Sequence, residues 1–305
     1  MKKLLFSGLF LLLFVGRIYC AGPSTSGAII LKQGISARAQ GMGEAFVGIA
    51  DDINAINYNP AGLAYLEKPE LNFSYLKGLV DTSWGSIACA FPAGPGVMGI
   101  SVFTLQGGLL DVYDGAGVRV NTLNAQSDYL AVFSYAFKTN RGLLLGFNVK
   151  GLYSILGQAY TGITYAADIG LLYKVFEKLK IGFAIQNAGE EIKYIATEDL
   201  LPLNIKAGFG WEVFRRKELD NITVAFDANY PNDGVLRYNF GVEYKNIEDG
   251  VAIRLGYKFG EVLGCYVDSY SAGIGLSDGK FRVDYAFLSK GELGLNHQVS
   301  LIIGF

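Results

Sequence analysis

Apolar and polar residues alternate along most of this chain beyond residue 70. Leu236, Tyr238, Phe240, Val242 and Tyr244 are interleaved with Arg237, Asn239, Gly241 and Glu243. The next stretch repeats the pattern, with Val251, Ile253, Leu255, Tyr257 and Phe259 set against Ala252, Arg254, Gly256 and Lys258. Ile222 to Asn229 and Phe281 to Phe287 follow the same rule, as do the last ten residues, Asn296 to Phe305. A period of two sends successive side chains to opposite faces of a strand, and roughly ten residues is the length a tilted strand needs to cross a bilayer. Weaker alternation covers Leu71–Tyr75, Tyr129–Phe137, Leu143–Val149, Ala167–Tyr173, Ile181–Ile185 and Leu203–Trp211. With Trp84–Phe91, Val97–Leu105 and Ala272–Leu276 the chain predicts fourteen strands.

The content of the two faces decides which one is wet. One face carries Gly, Ala, Asn, Arg, Glu and Asp, and the other carries large aromatic and β-branched residues in nearly every strand. A soluble barrel of this kind would put its apolar face inside; here the interior is predicted to be polar and the outside apolar, as in a transmembrane barrel. An even strand number leaves both termini on one side. Connections on that side are short (Pro92–Gly96, Lys138–Arg141, Asn246–Gly250, Ser277–Gly279). Longer ones lie opposite, at Gln106–Gln126, Gly157–Ile163, Asn187–Pro202 and Glu261–Ser269. A closing strand ending in the aromatic Phe305 looks like the insertion end of a bacterial outer-membrane barrel, which implies barrel-assembly machinery and outer-membrane lipids as partners. The uncharged run Thr82–Leu110 is long enough for a spanning helix, but Gly94, Pro92 and Pro95 interrupt it, and two apolar strands around a tight turn fit better.

The first twenty residues read differently. Lys2 and Lys3 precede an apolar run from Leu4 to Val15, followed by Arg17 and a short exit to Cys20. That is the layout of a secretory signal with cleavage after Cys20, and the run of about twelve residues is too short to anchor. Removing Lys2, Lys3 and Arg17 leaves 23 bases against 28 acids, a net charge of −5 that offers nothing to nucleic acid. Cys89 and Cys265 leave a disulfide possible without defining a framework. His297, the single histidine, excludes a His-rich metal site and any histidine-centred catalytic constellation. No enzyme, metal or cofactor is expected.

Residues 21–69 do not read as strand. They are rich in small residues, with Gly34, Gly41, Gly43 and Gly48 suited to tight packing, Asp51 placed to cap a short helical turn, and Asn59 before Pro60 placed to stop one. Such a segment is either a surface extension or a plug folded into the lumen. The inward-facing charges Lys150, Asp168, Asp227, Arg237, Glu243, Arg254, Lys258, Arg282 and Asp284 are nearly balanced in sign. They suit a paired ladder holding a plug, through Arg38, Glu44, Asp51 or Asp52, better than a selectivity ring of one sign.

These motifs carry a resemblance. The runs Ala37-Arg38-Ala39 and Gly41-Met42-Gly43, then Ala50-Asp51-Asp52, Asn59-Pro60-Ala61-Gly62-Leu63, Gln186-Asn187-Ala188-Gly189 and Leu201-Pro202-Leu203 occur in an order that resembles the PorV/PorQ family, relatives of FadL-type outer-membrane transporters. The resemblance covers nearly the whole chain after residue 20. It implies an all-β fold, a fourteen-stranded antiparallel transmembrane barrel (70–305) with an N-terminal hatch (21–69) in the lumen. It also implies one of two roles: an outer-membrane partner of a type IX-like secretion translocon and its cargo, or a channel for hydrophobic small molecules. In FadL-like barrels a kinked third strand opens a window toward the bilayer, and Gly107-Gly108 either forms the corresponding window here or simply begins an extracellular loop. The chain is shorter than typical FadL transporters, which implies reduced ligand-collecting loops.

Overall fold

The computed structural model describes residues 26–79, 81–216, 220–232, 234, 236–262, 265–289 and 294–305. The expected signal segment 1–20 and the first residues of the expected hatch lie outside the described residues.

Alternation becomes a closed wall. The strands run in chain order as β1 (Glu70–Lys77), β2 (Thr82–Ala93), β3 (Gly96–Gly107), β4 (Leu109–Tyr113), β5 (Arg119–Asn124) and β6 (Gln126–Lys138). They continue as β7 (Leu143–Leu156), β8 (Tyr160–Phe176), β9 (Leu179–Gly189), β10 (Ile192–Lys193), β11 (Glu198–Asp199) and β12 (Asn204–Arg216). The rest are β13 (Asp220–Pro231), β14 (Arg237–Asn246), β15 (Val251–Val262), β16 (Cys265–Ser277), β17 (Phe281–Ser289) and β18 (Leu295–Gly304). Fourteen of them form one barrel, and β4–β5 and β10–β11 are separate two-stranded hairpins. The barrel closes where β18 pairs antiparallel with β1, from Glu70 opposite Gly304 to Lys77 opposite His297. Phe305 extends this seam by donating its backbone N–H to Pro69 O at 3.1 Å.

The two faces separate as the pattern requires. Phe73, Ile100, Phe133, Ile169, Phe240, Leu255 and Val299 are exposed on the outside, while Asn72, Ser134, Asn148, Asp168, Glu243 and Asp284 are buried inside. Four turns at the rim that holds the chain end contain a left-handed glycine, Gly94, Gly142, Gly250 and Gly279, with φ between 60° and 90°. This conformation costs a residue with a Cβ and costs glycine little, so the short turns are written into the sequence.

The opposite rim departs from expectation. β7 ends at Leu156 and β8 starts at Tyr160, so the connection expected over Gly157–Ile163 is a tight turn. Likewise β15 and β16 run on through most of the loop expected over Glu261–Ser269. The strands project beyond bilayer length there because the period of two continues past it. The expected loop Gln106–Gln126 folds into the exposed β4–β5 hairpin.

Most of residues 26–66 pack against the inward faces of these strands, while Ile29 and residues 67–69 are exposed. A 3-10 turn spans Ile29–Lys32, a helix Ala37–Gly41, a second helix Ala55–Tyr58, and a 3-10 turn Pro60–Tyr65. Ser36 Oγ accepts from Ala39 N to start the first helix. Asn59, at φ −155°, ends the second, and its Oδ1 accepts from Ala61 N to begin the Pro60–Tyr65 turn. Asp51 does not cap the second helix, whose N-cap is Asn54 without a side-chain cap; Asp52 closes the turn before it, its Oδ1 accepting from Asn54 N at 2.9 Å. Asp51 is drawn away to Arg38 instead. Phe46, Ile53, Ile56, Tyr58 and Leu63 are among the most buried side chains of the chain and form its main apolar core.

Candidate functional site

The contact between the N-terminal segment and the wall is built first from glycines. An added Cβ at inward-facing Gly146 would run into the backbone of Pro60 and Ala61, and at Gly182 into the Val47 carbonyl. At Gly241 it would meet Met42 O, and at Gly256 the Gly43 amide. Gly241 and Gly256 are register partners on β14 and β15, and Gly182 faces Gly208 on β12. A belt of glycines therefore lets the segment's main chain rest directly on the wall. Nothing in residues 26–69 alone announces this; the sequence signal is glycine recurring on the inward positions of β7, β8, β9, β12, β14 and β15.

A charge network locks the same contact near the rim of the chain end. Arg38 Nη1 lies 2.6 Å from Asp51 Oδ1 and 2.9 Å from Asp52 Oδ2, while its Nε and Nη2 form a two-pronged bond to Glu243 at 3.0 and 2.9 Å. Glu243 also accepts from Arg254 Nε at 2.6 Å, and Arg254 reaches Asp284 at 2.7 Å. Arg282 closes the ring by donating to Asp52 at 2.5 Å and to Asp284 at 3.1 Å. Burial alone would raise the Asp52 carboxyl, but Arg282 and Arg38 hold it well below the usual carboxylate range. Lys180 adds an ion pair to Asp51 at 3.7 Å, a contact that alternation alone does not reveal.

Higher in the lumen the partners change. Glu44 pairs with Lys258 at 2.6 Å. Asp227, on the polar face of β13, takes no cation among the described residues; its Oδ2 accepts the backbone amides of Phe46 and Val47 at 2.7 and 2.9 Å. Asn59 Nδ2 donates to Val47 O and Leu171 O, both at 3.0 Å. Lys150 pairs with Asp168 at 2.7 Å and also donates to Asn187 Oδ1 at 2.7 Å. The β8–β9 ladder shifts register between Ala167 and Ile169, and Asn187 sits there at φ 61°. This bulge turns its side chain inward, where Nδ2 donates to Leu31 O and Pro202 O. The motifs Gln186-Asn187 and Leu201-Pro202 thus meet the N-terminal segment at one point. Arg237 lines the lumen near the far rim with no ion pair to a described residue.

Gly107 and Gly108 do not break the wall. Gly107 still pairs with Thr82, the β3–β6 ladder is continuous from Gly96 to Gln106, and Gly108 turns at φ 87° into the β4–β5 hairpin. The depression in the outer wall lies lower on the neighbouring strands. It is an apolar groove of ≈ 490 Å³ with Phe73, Tyr75, Ile87, Val102, Val299 and Leu301 around Gly85, and it reaches the inward-facing Ser74 and Ser86. Cys89 is a free thiol on β2, and β16, which carries Cys265, lies four strands away in the barrel order. At about 4.8 Å per strand that separation far exceeds what a disulfide spans. His297 Nδ1 lies 2.8 Å from the Tyr285 hydroxyl on the exposed side.

The architecture has solved counterparts. The monoaromatic hydrocarbon channel CymD superposes with a TM-score of 0.63 at 13% identity, over 89% of this chain and 98% of that one. The toluene transporter TodX of Pseudomonas putida gives 0.65 at 12% identity, over 89% and 97%. A FadL homologue of Pseudomonas aeruginosa gives 0.54 at 12% identity, over 87% and 97%. The chain has the FadL-like channel fold. No protein-family profile matches its sequence, and no curated protein does.

Proposed function

We propose that the chain is a non-enzymatic outer-membrane channel of FadL-like type that passes small hydrophobic molecules, with its N-terminal segment up to residue 69 acting as a hatch. The observation that carries this reading is the apolar groove around Gly85. The lumen is filled by Phe46, Tyr58, Leu63 and their neighbours, so an apolar solute has no straight path through it. The groove thins the outer face to the backbone of Gly85, Ser74 and Ser86, whose ladders to β1, β3 and β18 stay paired, so a sideways exit into the acyl chains requires these strands to part there during passage.

In this reading the exposed aromatic and aliphatic band faces lipid, the chain end at Phe305 faces the periplasm, and the far rim opens to the exterior. A PorV/PorQ-like role with a secretion translocon rests on the sequence motifs alone. Among the similar solved structures, CymD is a monoaromatic hydrocarbon channel and TodX a toluene transporter, which favours transport. A test expresses the chain in cells lacking their own hydrocarbon channels and follows uptake of a radiolabelled monoaromatic hydrocarbon at low concentration. Gly85→Phe fills the groove at little structural cost, because the nearest atom to an added Cβ is the Thr104 hydroxyl at 3.1 Å. Uptake above the empty-vector rate, lost in Gly85→Phe, is expected. No uptake above that rate refutes transport, and uptake unaffected by Gly85→Phe refutes the sideways exit.

A further inference from the structure

The lumen holds a second cavity, and its chemistry is the opposite of the outer groove. It occupies ≈ 380 Å³ between the N-terminal segment and the far rim. Four cationic side chains line it, Lys32, Lys206, Arg237 and Lys258, against the single carboxylate of Glu44. Glu44 is paired with Lys258. Lys206 and Arg237 form no ion pair with any described residue; the Lys206 ammonium lies over the Tyr58 ring, 5.7 Å from its centroid, with the carboxylates of Glu44 and Asp227 within electrostatic reach but not in contact. Asp227 has Oδ2 committed to the amides of Phe46 and Val47, while its buried Oδ1 takes no hydrogen bond and offsets part of the Lys206 charge from a distance.

The ladder shows why this is a site and not a scatter of charges. Lys206 on β12 is opposite Asn229 on β13, which is opposite Arg237 on β14, which is opposite Gly260 on β15. One row across the wall thus reads cation, carboxamide, cation, glycine. In the next row Asn239 faces Lys258. Two strand spacings, about 10 Å, separate the backbones of Lys206 and Arg237. The place of a side chain at Gly260 is taken by the Arg237 stem, whose Cγ would lie 2.9 Å from an added Cβ there, so the glycine lets Arg237 lie across β15. The Asn204 Oδ1 atom at the cavity edge is buried without a hydrogen-bond partner. Cations such as Lys206 and Arg237, with no ion pair to a described residue at the mouth of a narrow lumen, raise the local concentration of anions.

We infer that this vestibule binds a small hydrophilic organic polyanion, one whose carboxylates sit on separate carbons so that Lys206 and Arg237 each hold one. Carboxamides of Asn229 and Asn239 supply neutral donors between them. A single phosphate fills only a small part of the ≈ 380 Å³ cavity, so phosphate serves as the probe that tests the demand for separated carboxylates. The inference does not depend on hydrocarbon passage, since the vestibule and the outer groove share no lining residue.

The experiment is calorimetric titration of the purified full chain in detergent with tricarballylate, with inorganic phosphate and neutral glycerol as comparison probes. Saturable tricarballylate binding that weakens with added salt is expected, with glycerol inert. Lys206→Gln and Arg237→Gln each weaken it by about tenfold or more, as loss of a charge-assisted contact does. Lys193→Gln, whose ammonium pairs with Glu198 on the exposed β10–β11 hairpin, leaves it unchanged. Heat-dependent electrophoretic mobility checks that each variant keeps its barrel. Absence of saturable tricarballylate binding overturns the inference. So does equal affinity in wild type and both cavity variants, or phosphate binding as tight as tricarballylate. Hydrocarbon uptake by the Lys206→Gln variant stays at the wild-type rate, so a failed titration and a failed channel are told apart.

Discussion

Arg38→Ala is the sharpest probe of how the N-terminal segment is held. Arg38 bridges Asp51 and Asp52 of its own segment to Glu243 of β14 through donor–acceptor distances of 2.6 to 3.0 Å. Removing one partner from a buried ion pair costs about 3–5 kcal/mol, because the remaining charge stays buried. Here Glu243 keeps Arg254 and Asp52 keeps Arg282, so the lower end, about 3 kcal/mol, is the expected loss. That corresponds to a rise of roughly a hundredfold in the population of the released segment. The barrel ladder does not pass through Arg38, so the wall stays closed. Hydrogen exchange measured by mass spectrometry on peptides covering residues 36–66 reads this directly, since exchange from a locally opened state reports its free energy. Protection there falls about a hundredfold while peptides of β6–β8 keep theirs. Arg38→Lys, which keeps the charge but loses the two-pronged bond to Glu243, lies between. Wild-type exchange over 36–66 in Arg38→Ala would refute the idea that this network holds the segment.

Four further outcomes follow from the same geometry. Gly182→Val drives side-chain atoms into the Val47 carbonyl and releases residues 45–49, seen as lost amide protection there with an intact heat-modifiable barrel; a well-protected Val47 in that variant refutes the close contact. Asp227→Ala strips the acceptor from two buried amides and costs about 2 kcal/mol, read as exchange at Phe46 and Val47 faster by tenfold or more. The Asp52 carboxyl lies below its ordinary value near 3.9, so its contribution to stability is complete above about pH 4 and is lost as pH falls through the lower native value. The Asp52 share of the segment's protection, read as the difference between wild type and Asp52→Asn, is therefore flat from about pH 5 to 8 and falls only in stronger acid; a difference that shrinks between pH 7 and 5 contradicts the assignment. Replacing residues 109–124 by a short glycine turn removes only the exposed hairpin, and the barrel's heat-modifiable mobility is unchanged.

The wall was legible in the sequence because a strand's face is decided locally, by whether a residue is odd or even along a ten-residue run. Lys150, Glu243, Arg254 and Asp284 reach the lumen for that reason alone. Their partners were not legible, because pairing depends on register around a closed ring: Arg254 meets Glu243 because those two residues face each other across β14 and β15. The same limit explains Asp227. Its position in the alternation reads as another charge awaiting a cation, yet the reversal at Gly43 and Glu44, both at positive φ, helps bring two amides to it instead. Loop lengths misled for a different reason. Alternation in β7, β8, β15 and β16 carries on past the span of a bilayer, and only lipid thickness, which the sequence does not encode, sets where a strand ceases to be membrane. Glycine was the neglected signal. On a lipid-facing position it is a weak strand former, but on the inward face of strand after strand it marks where a second main chain must lie. That belt says more than any charge about where residues 26–69 rest, and it implies that releasing the segment exposes a groove shaped for backbone. The hatch, in this reading, seals by main-chain contact along the belt, and the Arg38 network sets how firmly.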